Sequence, residues 1–94
     1  PAFIAFFIEA MVEGGIKSGL SKENASELAI QTLIGTASLL ETGMPPEKLR
    51  EMVTSPGGTT AAGLKVFEER GFKNIVLSAM DAAVKRAEEL GRKV

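Results

Sequence analysis

Ser55-Pro56-Gly57-Gly58-Thr59-Thr60 is the stretch whose residue types and order could do chemistry, and that chemistry is the holding of an anion. Pro56 removes one backbone donor and fixes φ at about −65°. Two adjacent glycines permit backbone angles and close approaches that side chains would block. Thr59 is placed to cap a helix running from Thr60 to Arg70. The first turn of such a helix carries free N–H groups and the positive end of its dipole, a receptor for a carboxylate or a phosphate. The same residues also suit a simpler role, a tight turn between two helices with an ordinary cap.

Little else in the chain has reactive potential. There are 0 Cys and 0 His, which excludes disulfides, thiolate or imidazole catalysis and the usual zinc sites. Only carboxylates are left to hold Mg²⁺ or Ca²⁺. Glu9/Glu13 and Glu68/Glu69 read as solvated helix faces with no Asp-rich loop between them, so no metal site is assigned. Asp81 and Glu41 read as surface groups, leaving no strong general acid or base.

Composition narrows the partners. The net charge is −1, and the only basic cluster is Arg92-Lys93, which suits a helix end better than nucleic acid. With no Tyr, no Trp and 5 Phe, base stacking is also poorly supported. The longest apolar run, Pro1 to Ile8, is too short to span a bilayer and has no basic segment before it. No nucleic acid and no membrane are therefore expected, and a cytoplasmic setting follows. The 94 residues, 45% apolar and 24% charged, suit one globular domain with a modest core. Pro1-Ala2-Phe3 enters an apolar segment with no polar leader, so the expectation is a piece of a longer protein.

The elements that must position the turn are all helical. Phe3, Phe6, Phe7, Ala10, Met11 and Gly14 form one stripe of a first helix, with Pro1 suited to its first position and Gly19 to its end. Ser21 caps a second helix, in which Ala25, Leu28, Ala29, Thr32, Leu33, Thr36, Ala37 and Leu40 repeat at three- and four-residue steps until Gly43. Pro46 opens a short third helix through Val53; the turn and a fourth helix follow, ended by Gly71. A fifth carries Val76, Ala79, Met80, Ala83, Val84, Ala87 and Leu90 on one face, with Glu89 near Arg86 and Lys85. The spacing predicts an all-α fold of about five helices, with no strand and no internal repeat.

Self-association is expected from the same pattern. Ala2 to Ile8 is apolar nearly all round and needs burial on more than one side. Gly14, Gly15, Gly35 and Ala37 would let helices approach closely, either within one chain or across a dimer. A homodimer is the expectation, because obligate interfaces resemble a divided core.

Leu49 through Leu64, centred on Pro56-Gly57-Gly58-Thr59-Thr60, resembles the signature of the pyrroline-5-carboxylate reductases. The resemblance extends over the whole chain, through Pro1-Ala2-Phe3, Gly14-Gly15-Ile16-Lys17-Ser18-Gly19-Leu20 and Phe72-Lys73-Asn74-Ile75. It implies reduction of Δ1-pyrroline-5-carboxylate to L-proline with NADPH or NADH, in proline biosynthesis. It also implies an interlocked homodimeric bundle, as in the C-terminal domain of 6-phosphogluconate-dehydrogenase-like reductases, with dimers assembling into decamers. The family's N-terminal Rossmann domain, which binds most of the cofactor, has no counterpart here, because no Gly-x-Gly-x-x-Gly follows a strand. Residues 1–94 thus resemble the dimerisation and substrate-binding domain alone, expected to be inactive by itself.

Carried over residue by residue, the resemblance places the substrate carboxylate on the amides of Gly57, Gly58, Thr59 and Thr60, with Ser55 holding the loop or touching the carboxylate. Thr60 matches the family's threonine beside the ring nitrogen and is the candidate catalytic residue. Two other readings stand beside this one. The chain could be a helical homodimerisation module without chemistry, or Pro1 could act as a catalytic amine in the manner of tautomerases. The last is disfavoured because Pro1 leads a helical run and the first cation along the chain is Lys17.

Overall fold

The computed structural model describes residues 1–92, so Lys93 of the basic tail lies outside the described residues. It contains five helices in the order α1 (Ala2–Lys17), α2 (Lys22–Glu41), α3 (Pro46–Met52), α4 (Thr59–Glu69) and α5 (Phe72–Arg92). Among the described residues there is no strand. Pro1 is the N-cap of α1, one position earlier than its φ alone would suggest, and its carbonyl accepts from Ala5 N–H at 2.9 Å.

Local rules set the helix ends. At the end of α1, Leu20 N–H donates to Gly15 O and Gly19 N–H to Ile16 O, both at 3.0 Å, with Gly19 at φ 110°. This is the Schellman pattern, in which a glycine in a left-handed conformation satisfies carbonyls left over by the last turn. Gly43 (φ 97°) and Gly71 (φ 70°) terminate α2 and α4 in related fashion, donating to Leu40 O and Glu68 O. At the start of α2, Ser21 Oγ accepts from Asn24 N–H at 3.1 Å, an N-cap bond typically worth about 1 kcal/mol. Pro46 is the first residue of α3, where its missing donor is no loss. Val53, expected to continue that helix, lies in the turn beyond it.

The chain divides into two compact units, Pro1–Leu49 and a second beginning at Arg50, so the division falls inside α3. In the first unit α1 packs on α2. A Cβ built on Gly15 would lie 2.9 Å from Ala25 Cβ, so the missing side chain at Gly15 is what brings the helices together. Ala25 and Ala29, one turn apart on α2, are the buried residues of this contact. In the second unit α4 and α5 meet at an elbow where the Phe67 and Phe72 rings lie 4.8 Å apart and tilted by 53°.

What these units leave uncovered is more telling than what they bury. Among the described residues only Ala25 and Ala29 count as core. The rest of the periodic stripe on α2 stays largely open, with Leu28 56% exposed. Every residue of α5 from Phe72 to Arg92 is exposed. Gly14 and Gly35 have no neighbour within 4 Å of an added Cβ, so their small size serves no contact inside this chain.

Candidate functional site

The candidate site is built from the end of α3, the turn after it and the start of α4, all within the second unit. Thr54 fixes the approach to the turn: its hydroxyl donates to Arg50 O and its N–H to Glu51 O, closing the end of α3. The chain then bends at Ser55-Pro56-Gly57-Gly58, where Gly58 N–H donates to Ser55 O at 3.0 Å. Proline at the second position and a glycine of positive φ at the third, here Gly57 at 73°, are what a type II turn requires. Gly58 is suited to its place for a different reason. Its φ of −84° suits any residue, but an added Cβ would stand 3.1 Å from Ser55 O.

The helix begins one residue earlier than the sequence suggested. Gly58, in an extended conformation, is the N-cap of α4, and Thr59 is the first helical residue and not the cap. The physical reason lies in the turn: its closing bond brings Gly58 into line with the axis of α4, and Ala62 N–H already donates to Gly58 O at 3.1 Å. No side chain caps α4. Its first-turn donors therefore have no partner among the described residues.

The five residues singled out from the sequence lie together. Ser55, Gly57, Thr59 and Thr60 are exposed, and Gly58 is half-buried. Gly58 spends its amide inside the turn, on Ser55 O. Among the described residues the amides of Gly57, Thr59 and Thr60 donate to no protein acceptor, nor does Ala61 N–H, a donor the sequence reading passed over. Its place as the third residue of α4 is what reveals it, once the helix start is known. Thr59 N–H, Thr60 N–H and Ala61 N–H thus form the free first turn of a helix, and the N-terminal end of its dipole faces solvent there. Such a cluster can receive a carboxylate, with two hydroxyls close by.

Between α3 and α4 there is also an open groove of about 350 Å³, with Arg50, Glu51, Thr54, Lys65 and Glu68 on its walls. None of the five site residues lines it, and its mixed charges give it no preference for one sign of ligand. Lys65 is in any case engaged with Glu69 at 3.8 Å. On α5, Arg86 pairs with Glu89 at 2.9 Å as anticipated, whereas Lys85 turns to Asp81 at 3.4 Å. Among the described residues no three His, Cys, Asp or Glu side chains lie together to hold a metal. No helix among them is long and apolar enough to cross a membrane.

Comparison with known proteins agrees over almost the full sequence. Residues 1–90 match the family described as pyrroline-5-carboxylate reductase dimerisation. The chain is 47% identical over 94 residues to a pyrroline-5-carboxylate reductase of Synechocystis, covering 99% of this chain and 35% of that protein. It is 48% identical over 92 residues to pyrroline-5-carboxylate reductase 3 of Bos taurus, covering 97% of this chain and 30% of the relative. Among solved structures, the pyrroline-5-carboxylate reductase of Coxiella burnetii superposes with a TM-score of 0.91 at 44% identity, over 96% of this chain and 34% of that one. The NADP-bound pyrroline carboxylate reductase of Plasmodium falciparum gives 0.88 at 37% identity, over 92% and 33%. The chain thus spans about a third of the proteins it resembles. With the helix order, the turn and these matches in agreement, this chain belongs to the pyrroline-5-carboxylate reductase dimerisation family.

Proposed function

We propose that this chain is the dimerising and substrate-holding part of an NAD(P)H-dependent pyrroline-5-carboxylate reductase, which reduces Δ1-pyrroline-5-carboxylate to L-proline. The observation that carries the reading is the unpaired first turn of α4, where Thr59, Thr60 and Ala61 N–H groups have no acceptor of their own. An anionic head group on a small ring suits such a terminus, because several weak donors and the helix dipole act on one charge.

Roles then follow from position. The substrate carboxylate sits on the amides of Thr59 and Thr60, with Gly57 giving the backbone access. Gly58 acts mainly by holding the turn closed, and Ser55 anchors it from the other side. Bound there, the ring lies beside the Thr60 hydroxyl, which orients the imine nitrogen and shares its proton. The reaction converts a protonated C=N bond to an amine by adding one hydride at carbon, and a nicotinamide cofactor is the hydride source. The described residues form helices joined by turns, with no strand among them, and do not fit a dinucleotide fold, so this reading places the cofactor outside them. What this chain contributes is binding and orientation. It works as a homodimer, with decamers as the further assembly.

The test is Thr60→Ala in the complete enzyme. Removing one hydrogen bond to a charged ring costs about 1.5–3 kcal/mol, so kcat/KM should fall about 10- to 160-fold. The dimer mass and the melting temperature should stay unchanged, since Thr60 makes no side-chain bond among the described residues. Unaltered kinetics would favour a turn that merely joins two helices.

A further inference from the structure

We infer that Thr54 is a positioning residue for the turn: by locking the end of α3, its hydroxyl sets where the free amides of α4 point, and so sets the affinity for the cyclic imine acid. This rests on the proposed reading of those amides as the carboxylate receptor. It adds a residue that lies outside residues 55–60 and touches no substrate.

Little else holds the turn. Ala25 and Ala29 both belong to the first unit, so no core residue supports the turn from within its own unit. The start of α4 has no side-chain cap. Among the described residues, the bond from Thr54 to Arg50 O is the only side-chain hydrogen bond between residues 46 and 60. Two backbone bonds complete the frame from α3 to Gly58: Thr54 N–H to Glu51 O at 3.3 Å and Gly58 N–H to Ser55 O at 3.0 Å.

The position of Thr54 gives that one bond its leverage. With 7 residues, α3 has fewer than two turns, and its last carbonyls lack partners inside the helix. Thr54 takes two of them, Arg50 O through its hydroxyl and Glu51 O through its N–H. A β-branched side chain has few χ1 states, so a bond to the carbonyl four residues back fixes the side chain and the backbone together. Ser55, whose carbonyl accepts the closing bond of the turn, follows directly. Thr54 is also half-buried on the wall of the α3–α4 groove, which it shares with Ala61, the third of the free donors. It therefore borders the turn where the chain enters and where it leaves. Without the hydroxyl bond, Ser55 O loses its fixed direction, and the amides of Thr59, Thr60 and Ala61 must be ordered by the ligand itself. Donors ordered in advance bind more tightly than donors ordered on binding.

The experiment compares Thr54→Val, which keeps the branched shape without the hydroxyl, with Thr54→Ser, which keeps the hydroxyl, both in the complete enzyme. Hydrogen exchange of the Gly58 amide reads closure of the turn with no substrate present. Steady-state reduction of Δ1-pyrroline-5-carboxylate separates KM from kcat. A neutral hydrogen bond of ordinary strength corresponds to a change of about 2- to 13-fold. Thr54→Val should speed exchange at Gly58 and raise KM, each by that factor, with kcat unchanged because the bound ring reacts as before. Thr54→Ser should restore both. A lowered melting temperature with Gly58 exchange and KM unaltered would mark a purely structural role and overturn the inference. So would a serine variant that behaves like valine, or a Thr54→Val enzyme of unchanged KM whatever its exchange. Thr60→Ala, measured alongside, shows which part has failed. If it too leaves the kinetics unaltered, the reading of the turn as the carboxylate receptor falls; if it lowers kcat/KM while Thr54→Val does nothing, only the role given to Thr54 is lost.

Discussion

Gly57→Ala is the substitution that most directly interrogates the turn. Gly57 has φ 73°, and a Cβ built there meets nothing within 4 Å, so steric collision with neighbours contributes no cost. What remains is the backbone penalty of placing an L-residue in the left-handed region, about 1–2 kcal/mol. Two copies per dimer double the effect on dimer stability, to about 2–4 kcal/mol. If the turn relaxes instead of enduring the strain, the free amides of Thr59 and Thr60 move off the position proposed for the substrate carboxylate, and the same 1–2 kcal/mol is then expected as a KM raised about 5- to 30-fold. Gly57→Asn is the internal control, because asparagine tolerates this conformation better than alanine and should recover part of the loss. The assay is chemical denaturation of each variant, paired with steady-state reduction of the cyclic imine by the complete enzyme. A Gly57→Ala protein matching the parent in both stability and KM would refute the argument that a positive-φ glycine sets the amides. So would an asparagine variant worse than alanine.

Two further outcomes concern the frame. Gly15→Val should separate α1 from α2, since even a Cβ at that position stands 2.9 Å from Ala25 Cβ; overpacking of this kind costs about 1–3 kcal/mol and is read as a lowered melting temperature. Ser21→Ala removes the bond from Asn24 N–H and should destabilise by about 1 kcal/mol in denaturant titration, with Ser21→Asp retaining most of the stability.

The five helices were legible because their limits are set by neighbours in sequence. Gly19, Gly43 and Gly71 take positive φ after the helices they end, Ser21 caps α2 and Pro46 opens α3, each a rule acting over a few residues. The turn was legible for the same reason, since Pro56 and Gly57 meet the requirements of its second and third positions. The first residue of α4 was not. Thr59 has the chemistry of a cap, but the bond from Gly58 N–H to Ser55 O brings Gly58 into that role and shifts the free donors by one residue, onto Thr59, Thr60 and Ala61. Propensity ranks cap residues, whereas geometry chooses among adjacent ones.

Hydrophobic periodicity located the apolar stripes on α2 and α5 without saying what would cover them. Spacing fixes which residues share a face, because that follows from 3.6 residues per turn. Burial depends instead on what is packed opposite, and that is a long-range property. Here the fold buries Ala25 and Ala29 against α1 through the gap that Gly15 leaves, and the whole length of α5 stays open. Sequence determined the helices, most of their ends and the sharp bend before α4; tertiary structure decided the first residue of α4, that Gly15 serves a contact inside the chain while Gly14 and Gly35 do not, and that α5 stays exposed along its length.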